Sequence, residues 1–373
     1  MPCVNVTMFP VIDVSGGAFE RGRSHGERAK VRVERSIANY SRLFAANGLP
    51  WDEAQRLSAP YRDLIGSFDA ELLEEMEGIA RGAAQPFSEI LALNARTEIL
   101  PTSFLSAVDA GECTAIAVSP PASATGEALL AQNWDWIGAQ REALIVLRAS
   151  EGDHPAFVTL TEAGMLAKIG FNAQGLGVCL NILRSVFDGA SAGAKAGVPV
   201  HVLLRALLKR ASLPEAIRLC STLSFGGSSS VVCADRSGDA ACLEFSPKGL
   251  KVVRGDGRTL CHTNHFLHPE ATAWQAKHVP NLSSIPRLEC ALKIAKSRST
   301  HGVEDLKRLL RDESEGLLSI CRKPDPALLP EQCIESVASV IMELARGVLH
   351  VAPDIPSRAE YQAVALAGEA VPA

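Results

Sequence analysis

The chain has 373 residues, of which 47% are hydrophobic and 21% charged, and a formal net charge of −5. This is ordinary globular composition, with enough apolar material for a sizeable core. An acidic balance without any basic cluster argues against a nucleic-acid partner or an anionic membrane surface. No run approaches the ~20 apolar residues that a membrane span needs. The amino end, Met1 to Thr7, has neither the charged nor the apolar region of an export signal. Ten cysteines are scattered with no C-x-x-C pair, which reads as reduced thiols in a cytoplasmic protein.

In chain order, Val4–Val14 reads as a strand ended by Gly16-Gly17. Helical patterns follow over 18–47, 61–81 and 89–100; Ser88 is expected to cap the last, and Pro101 to stop it. At Cys113 the period changes. Strands are expected over 113–118, 128–133, 143–148, 156–161, 168–171 and 176–183, spaced so closely that they must form antiparallel hairpins. Two helices, 201–210 and 214–223, are followed by strands at 230–234, 240–245 and 250–254. Helices at 285–296 and 303–311 and a hairpin of 337–344 with 348–351 close the chain. There is no internal repeat, low-complexity segment or linker, so residues 1–373 read as one domain. Helices outside two face-to-face sheets is the layered α+β arrangement this order suggests.

The chemistry-bearing stretch runs from Asp109-Ala110-Gly111-Glu112 into Cys113, the first residue of an apolar, β-branched run. A cysteine there is either plain core packing or a nucleophile at a strand's mouth. Cutting the bond before it would put a thiol and an α-amine on one residue. A hairpin later comes Asn133-Trp134-Asp135-Trp136, a carboxylate between two tryptophans. It is either a turn Asp bonding local backbone or a group that holds a terminal ammonium or a substrate amine, since a buried carboxylate needs a partner. Asn181 and Asn264 are amides set in otherwise apolar surroundings. Each is either satisfied by backbone or, for Asn264, a donor to a developing oxyanion. Arg287 in the first turn of a helix opposes the helix dipole, so a partner carboxylate would explain it better than solvent. Cys261, His262, His265 and His268 invite a zinc reading, but their spacing does not converge on one ion.

Several of these pieces together resemble a known family. Gly111-Glu112-Cys113-Thr114, Gln132-Asn-Trp-Asp-Trp136, Thr161-Glu-Ala-Gly164 with Lys168-Ile-Gly-Phe-Asn172, His262-Thr-Asn-His265, Leu349-His-Val-Ala-Pro353 and Glu20-Arg-Gly-Arg-Ser-His-Gly26 are similar to the acyl-coenzyme A:6-aminopenicillanic acid acyltransferase family of N-terminal-nucleophile (Ntn) hydrolases. The resemblance spans nearly the whole chain. It implies a four-layer αββα sandwich of two antiparallel sheets, made as a precursor. Cys113 would cut the chain before itself, leaving associated fragments 1–112 and 113–373. Asp135 would support the new terminus and Asn264 supply the oxyanion donor, with Asn181 and Arg287 completing the site. Trp134, Trp136 and Thr114 would contact substrate. No cofactor and no metal is implied. The substrate would be a small N-acyl amide or an acyl thioester, with acyl-coenzyme A a candidate donor. The fungal acyltransferase has Gly where this chain has Glu112, and a carboxylate there is expected to alter the cleavage rate. Two rivals stay open: an unprocessed relative that only binds small molecules, and a zinc hydrolase built on the 262–268 histidines.

Overall fold

Period-two alternation builds the centre of the molecule. Along β2 (Cys113–Val118), Ile116 and Val118 join one apolar cluster with Leu288, Ala291 and Leu306. Ala115 and Ala117 join another with Val178 and Leu180. A strand apolar on both faces has to lie between two layers, here helices on one side and a second sheet on the other. The computed structural model describes residues 7–100, 113–189, 196–276, 283–330 and 333–367. Among these residues the further strands are β1 (Val11–Ser15), β3 (Leu129–Ile137), β4 (Leu144–Ser150), β5 (Phe157–Glu162), β6 (Ile169–Asn172), β7 (Gly177–Ile182), β8 (Ser229–Ala234), β9 (Ala240–Ser246), β10 (Gly249–Arg254), β11 (Thr259–His262), β12 (Ile334–Glu343), β13 (Val348–Ala352) and β14 (Gln362–Ala365). They form an eight-stranded sheet, β1-β4-β5-β6-β7-β8-β9-β10, and a six-stranded sheet, β11-β2-β3-β12-β13-β14.

The helices Ser284–Lys296 and Val303–Leu310 cover the six-stranded sheet through Leu288, Ala291, Leu306 and Leu309. The helices Lys30–Ala46 and Val200–Leu207 lie against the eight-stranded sheet. Ser36 Oγ donates to the Ala163 carbonyl at 2.7 Å, and the Arg205 guanidinium stacks 4.3 Å from the Phe157 ring centre. The order is helix, sheet, sheet, helix, the expected sandwich. One pairing departs from the all-antiparallel expectation, because β1 runs parallel to β4 at the sheet edge.

Helix boundaries are less legible than strands. The pattern over 18–47 is two helices, Ala18–Arg28 and Lys30–Ala46, and that over 61–81 is Tyr61–Phe68 and Ala70–Ala83. Asp69 makes the second break: its backbone is extended and its side chain accepts the Glu71 N–H at 3.2 Å. Such a cap outcompetes helix continuation at a residue of low helix propensity. Ser88 is not a cap; the helix Phe87–Asn94 starts after Pro86, and the Ser88 hydroxyl donates to Gln55 Oε1. The helix Trp51–Ser58 and the edge strands β11 and β14 carry too short a pattern to be read.

The Glu20–Gly26 motif has a packing reason. The helices Ala18–Arg28 and Ala70–Ala83 touch backbone to backbone. A Cβ on Gly22 would lie 1.9 Å from the Glu75 carbonyl oxygen, and one on Gly82 2.0 Å from that of Arg23. Beside this contact Arg21, Glu75, Glu151 and Arg205 form a buried ion cluster, with Arg21–Glu75 at 3.1 Å and Arg205–Glu75 at 3.0 Å. Burial would raise the Glu75 carboxyl, but the two guanidinium groups hold it below its ordinary range. Gly22→Ala should therefore force the helices apart and cost ~1–3 kcal/mol, as overpacking does. Gly152→Ala, where an added Cβ meets nothing within 4 Å, should stay within ~0.5 kcal/mol. Equilibrium urea unfolding of the two variants checks the contrast.

Candidate active site

The mouth of β2 is held by side chains from three other elements. Cys113 opens the strand, opposite Trp134 of β3, and is buried. Its N–H donates to Asn264 Oδ1 at 2.7 Å. Its carbonyl oxygen accepts from Asn181 Nδ2 at 3.0 Å and from Arg287 Nη1 at 2.7 Å. Arg287 also donates to Thr114 Oγ1 at 2.9 Å and to Asn264 Oδ1 at 3.1 Å. Asn181 comes from β7 of the facing sheet, and Gln132 of β3 reaches it across the gap at 3.4 Å while exchanging hydrogen bonds with the Leu180 backbone. A fully buried guanidinium is tolerated only when its donors are satisfied.

The Arg287 hydrogen bonds given above go to neutral oxygens, not to the carboxylate expected from the sequence. Asp135 is a carboxylate that its charge does reach. Asp135 is wholly buried, and Ser336 Oγ of β12 donates to its Oδ1 at 2.6 Å. Burial pushes its carboxyl up to about 7, against the pull of Arg287 and Ser336. Burial also pushes the Cys113 thiol up to about 12, with the Asp135 charge adding to it; the Asp135 backbone N–H, which hydrogen-bonds to the sulfur, and the charges of Lys168 and Arg287 work the other way. With its bond to Glu112 in place, this thiol is protonated at neutral pH and needs a base to act as a nucleophile. Glu112 itself lies outside the described residues.

A buried cationic cluster borders the same face. Lys168 Nζ sits 3.6 Å from the Trp134 ring centre and 3.4 Å from Glu162 Oε2. Arg96 also pairs with Glu162, at 3.2 Å, and lies 4.8 Å from the Tyr40 ring centre and 5.1 Å from that of Trp136. The Tyr40 hydroxyl donates to the same carboxylate. Burial pushes the Lys168 ammonium down to about 7, helped by Arg96 and opposed by Glu162 and Cys113. Beyond Trp136 opens a cavity of about 270 Å³ lined by Tyr40, Leu43, Trp136, Ile137 and Gln140 among others.

The histidines of 262–268 go to different partners. His262 Nε2 lies 2.9 Å from Glu244 Oε1, His265 Nδ1 lies 2.7 Å from Ser284 Oγ, and His268 Nδ1 accepts the Glu270 N–H at 3.2 Å. His262 does share a buried corner with Cys242 and Glu244, their ligand atoms within 4.8 Å of one another. Glu244 is already engaged there, accepting the N–H groups of Leu267 and His268. Burial would raise its carboxyl, but these bonds and His262 hold it low. The corner thus pins the loop that presents Asn264, rather than gathering three histidines around an ion.

Asn181, Asn264 and Arg287 therefore all bond Cys113, Arg287 also bonds Asn264, and Asp135 lies next to Cys113. Asn264 differs from expectation in detail: its oxygen holds the Cys113 nitrogen and its NH₂ donates to the Ile182 carbonyl at 2.9 Å. Thr114 is turned to the helix Ser284–Lys296 and supports Arg287, because successive strand residues alternate faces. Trp134 and Trp136 lie on the face toward Lys168 and Arg96. Lys168 and Gln132 enter the sequence reading only as members of motifs with no role assigned, and Ser336 and Glu244 do not enter it. Their signal is a lone polar residue inside an apolar strand run, which by itself does not say what it will meet.

Two variants of the conjugated bile acid hydrolase from Clostridium perfringens share the fold, with TM-scores of 0.50 and 0.51 at 12% identity; each comparison covers 69% of this chain and 93% or 94% of the other. The architecture is that of an Ntn hydrolase. The family profile "acyl-coenzyme A:6-aminopenicillanic acid acyl-transferase" matches residues 123–328. The acyl-coenzyme A:6-aminopenicillanic-acid-acyltransferase 40 kDa form of Emericella nidulans is 30% identical over 321 residues, 83% of this chain and 84% of that one. The chain belongs to the acyl-coenzyme A:6-aminopenicillanic acid acyltransferase family.

A carboxyl raised by folding binds its proton more tightly in the native state, so its contribution to stability falls as pH rises from the unfolded value near 4 to about 7. Asp135→Asn in a Cys113→Ala background should remove that dependence. The stability of the Cys113→Ala chain relative to the Cys113→Ala, Asp135→Asn double variant, measured by urea unfolding from pH 4 to 8, should decline over this interval and level off above it.

Proposed function

We propose that the protein is a self-processing cysteine amidohydrolase or acyltransferase. Cys113 cuts the chain at Glu112–Cys113, leaving fragments 1–112 and 113–373 associated, and then serves as the nucleophile. The observation that carries this reading is the hold on Cys113 itself: Asn264 on its nitrogen at 2.7 Å, Asn181 and Arg287 on its carbonyl at 3.0 and 2.7 Å. Buried peptide groups always need partners, but here they are side chains that three separate elements bring to one residue. A free α-amine has a pKa of about 7.7–8, close enough to neutrality to accept the thiol proton. Both groups sit on one residue, so their approach costs little entropy. Asn264 Oδ1, taking one amine hydrogen, would turn the nitrogen lone pair toward sulfur. The thiolate attacks an amide or thioester carbonyl, and the site's fixed donors, the Asn264 NH₂ among them, stabilise the oxyanion. The leaving group takes the proton, and water or an acceptor amine releases the acyl group from sulfur.

The substrate in this reading is a small N-acyl compound or an acyl thioester, such as an acyl-coenzyme A. Its acyl group would lie along Trp134 and Trp136 into the cavity beyond; the two tryptophans are two strand residues, ~7 Å, apart. The nine described cysteines are all unpaired, which fits a reducing compartment such as the cytoplasm. No described helix is long and apolar enough to cross a membrane.

Cys113→Ala should leave one uncut chain with no turnover of N-acyl substrates, read by intact mass and by product release; wild-type protein should run as two fragments that co-elute on size exclusion. A Cys113→Ala protein that turns over normally would move the nucleophile elsewhere. Trp136→Ala should raise KM for long-chain acyl substrates about tenfold or more while changing kcat less, measured across an acyl-length series.

A further inference from the structure

In the mature enzyme of the foregoing reading, the base is the α-amine of Cys113. Before the cut that nitrogen belongs to an amide and has no basic lone pair. The thiol then needs a different proton acceptor for the very step that creates the amine. We propose that Lys168, lodged between Trp134 and Glu162, is the base that takes the Cys113 thiol proton while the peptide bond to Glu112 is whole. This assignment rests on the self-cleavage reading.

The geometry supports it in two ways. Trp134 is the direct cross-strand partner of Cys113, so the two side chains share a face, and Lys168 Nζ packs on that tryptophan at 3.6 Å. The carboxylate that Lys168 meets is also shared. The groups facing it are Glu162, Arg96, Cys113 and His201. Glu162 already receives the Arg96 guanidinium at 3.2 Å and the Tyr40 hydroxyl. Lys168 therefore shares its carboxylate with Arg96, which Glu98 also reaches, and has no counter-charge of its own among these groups. Arg96 cannot release its proton, and burial with the two nearby cations holds His201 neutral. Lys168 is the member that can give up a proton, which accords with its pKa being pushed down to about 7. A neutral amine on the nucleophile's face is a base.

The step balances without any redox change. Lys168 Nζ takes the thiol proton, and the thiolate adds to the Glu112 carbonyl carbon, forming the C–S bond. Collapse of the oxyanion breaks the C–N bond, its electron pair leaving on the Cys113 nitrogen, which takes the proton back from the Lys168 ammonium. Water then hydrolyses the thioester to the Glu112 carboxylate and the free thiol.

The test follows newly synthesised full-length chain by mass from pH 5.5 to 9, in wild type, Lys168→Met and Lys168→Arg. Lys168→Arg keeps a cation against Glu162 and Trp134 but cannot act as a base. Wild-type cleavage should speed up with pH through about 7 and then level off. Both variants should cut at least about 100-fold more slowly, the low end of general-base contributions, without that inflection. Thermal melting of the uncut variants checks that they fold, and if Lys168→Met does not, Lys168→Arg decides alone. Lys168→Arg cleaving at the wild-type rate with the wild-type pH profile would overturn the Lys168 assignment and leave self-cleavage standing. A wild-type chain that stays whole, or a Cys113→Ala chain cut at the same bond, would overturn both.

Discussion

Everything at this site depends on a guanidinium with no exposure to solvent. Arg287 reaches from the first turn of a helix to the start of β2, to the carbonyl of Cys113, the hydroxyl of Thr114 and the amide oxygen of Asn264. Burying such a charge costs several kcal/mol unless its donors find acceptors. The requirement runs in both directions. Those acceptors fix Arg287, and Arg287 fixes the opening residue of β2 at the seam between the two sheets. Asn181 adds the facing sheet to the same carbonyl. The nucleophile candidate is thus placed by rigid elements on all sides, which is what precise positioning of a reacting group demands.

The same logic ties residues before position 113 to those after it. Arg21 and Glu75 share a buried ion cluster with Glu151 and Arg205, while Tyr40 and Arg96 close on Glu162 beside Trp136. Removing either side would leave buried charges without partners, a penalty far larger than that of a surface pair. In the reading proposed here, cutting the chain would therefore cost little of the structure. The segment before the cut supplies half of the charged frame around the substrate face, and Gly22 and Gly82 hold its two central helices at backbone contact.

Much of this is readable from the chain because its polar residues interrupt apolar runs. Cys113, Asp135, Asn181, Asn264 and Arg287 each break a local rule, and the fold collects them. Most strands are legible to within two or three residues, since alternation is set by neighbours in sequence, but β1 starts at Val11 rather than Val4 and β3 runs on to Ile137. Lys168 is visible only as part of a motif; its meaning depends on Trp134, Glu162 and Arg96, three partners that no local pattern announces. Glu244 is hidden for the same reason, although it meets His262 and the backbone of Leu267 and His268. Helix breaks at Ala29 and Asp69 escape because periodicity persists across them, and a single capping side chain decides the matter at Asp69.

The most direct measurement of the central claim is reaction of the purified, active enzyme with a reagent selective for a 1,2-aminothiol, followed by peptide mapping. A cyanobenzothiazole, which closes a ring only on a cysteine with a free amine, should give one adduct, at Cys113, with activity lost in proportion to labelling. Fully active protein that yields no adduct at Cys113 would contradict the account.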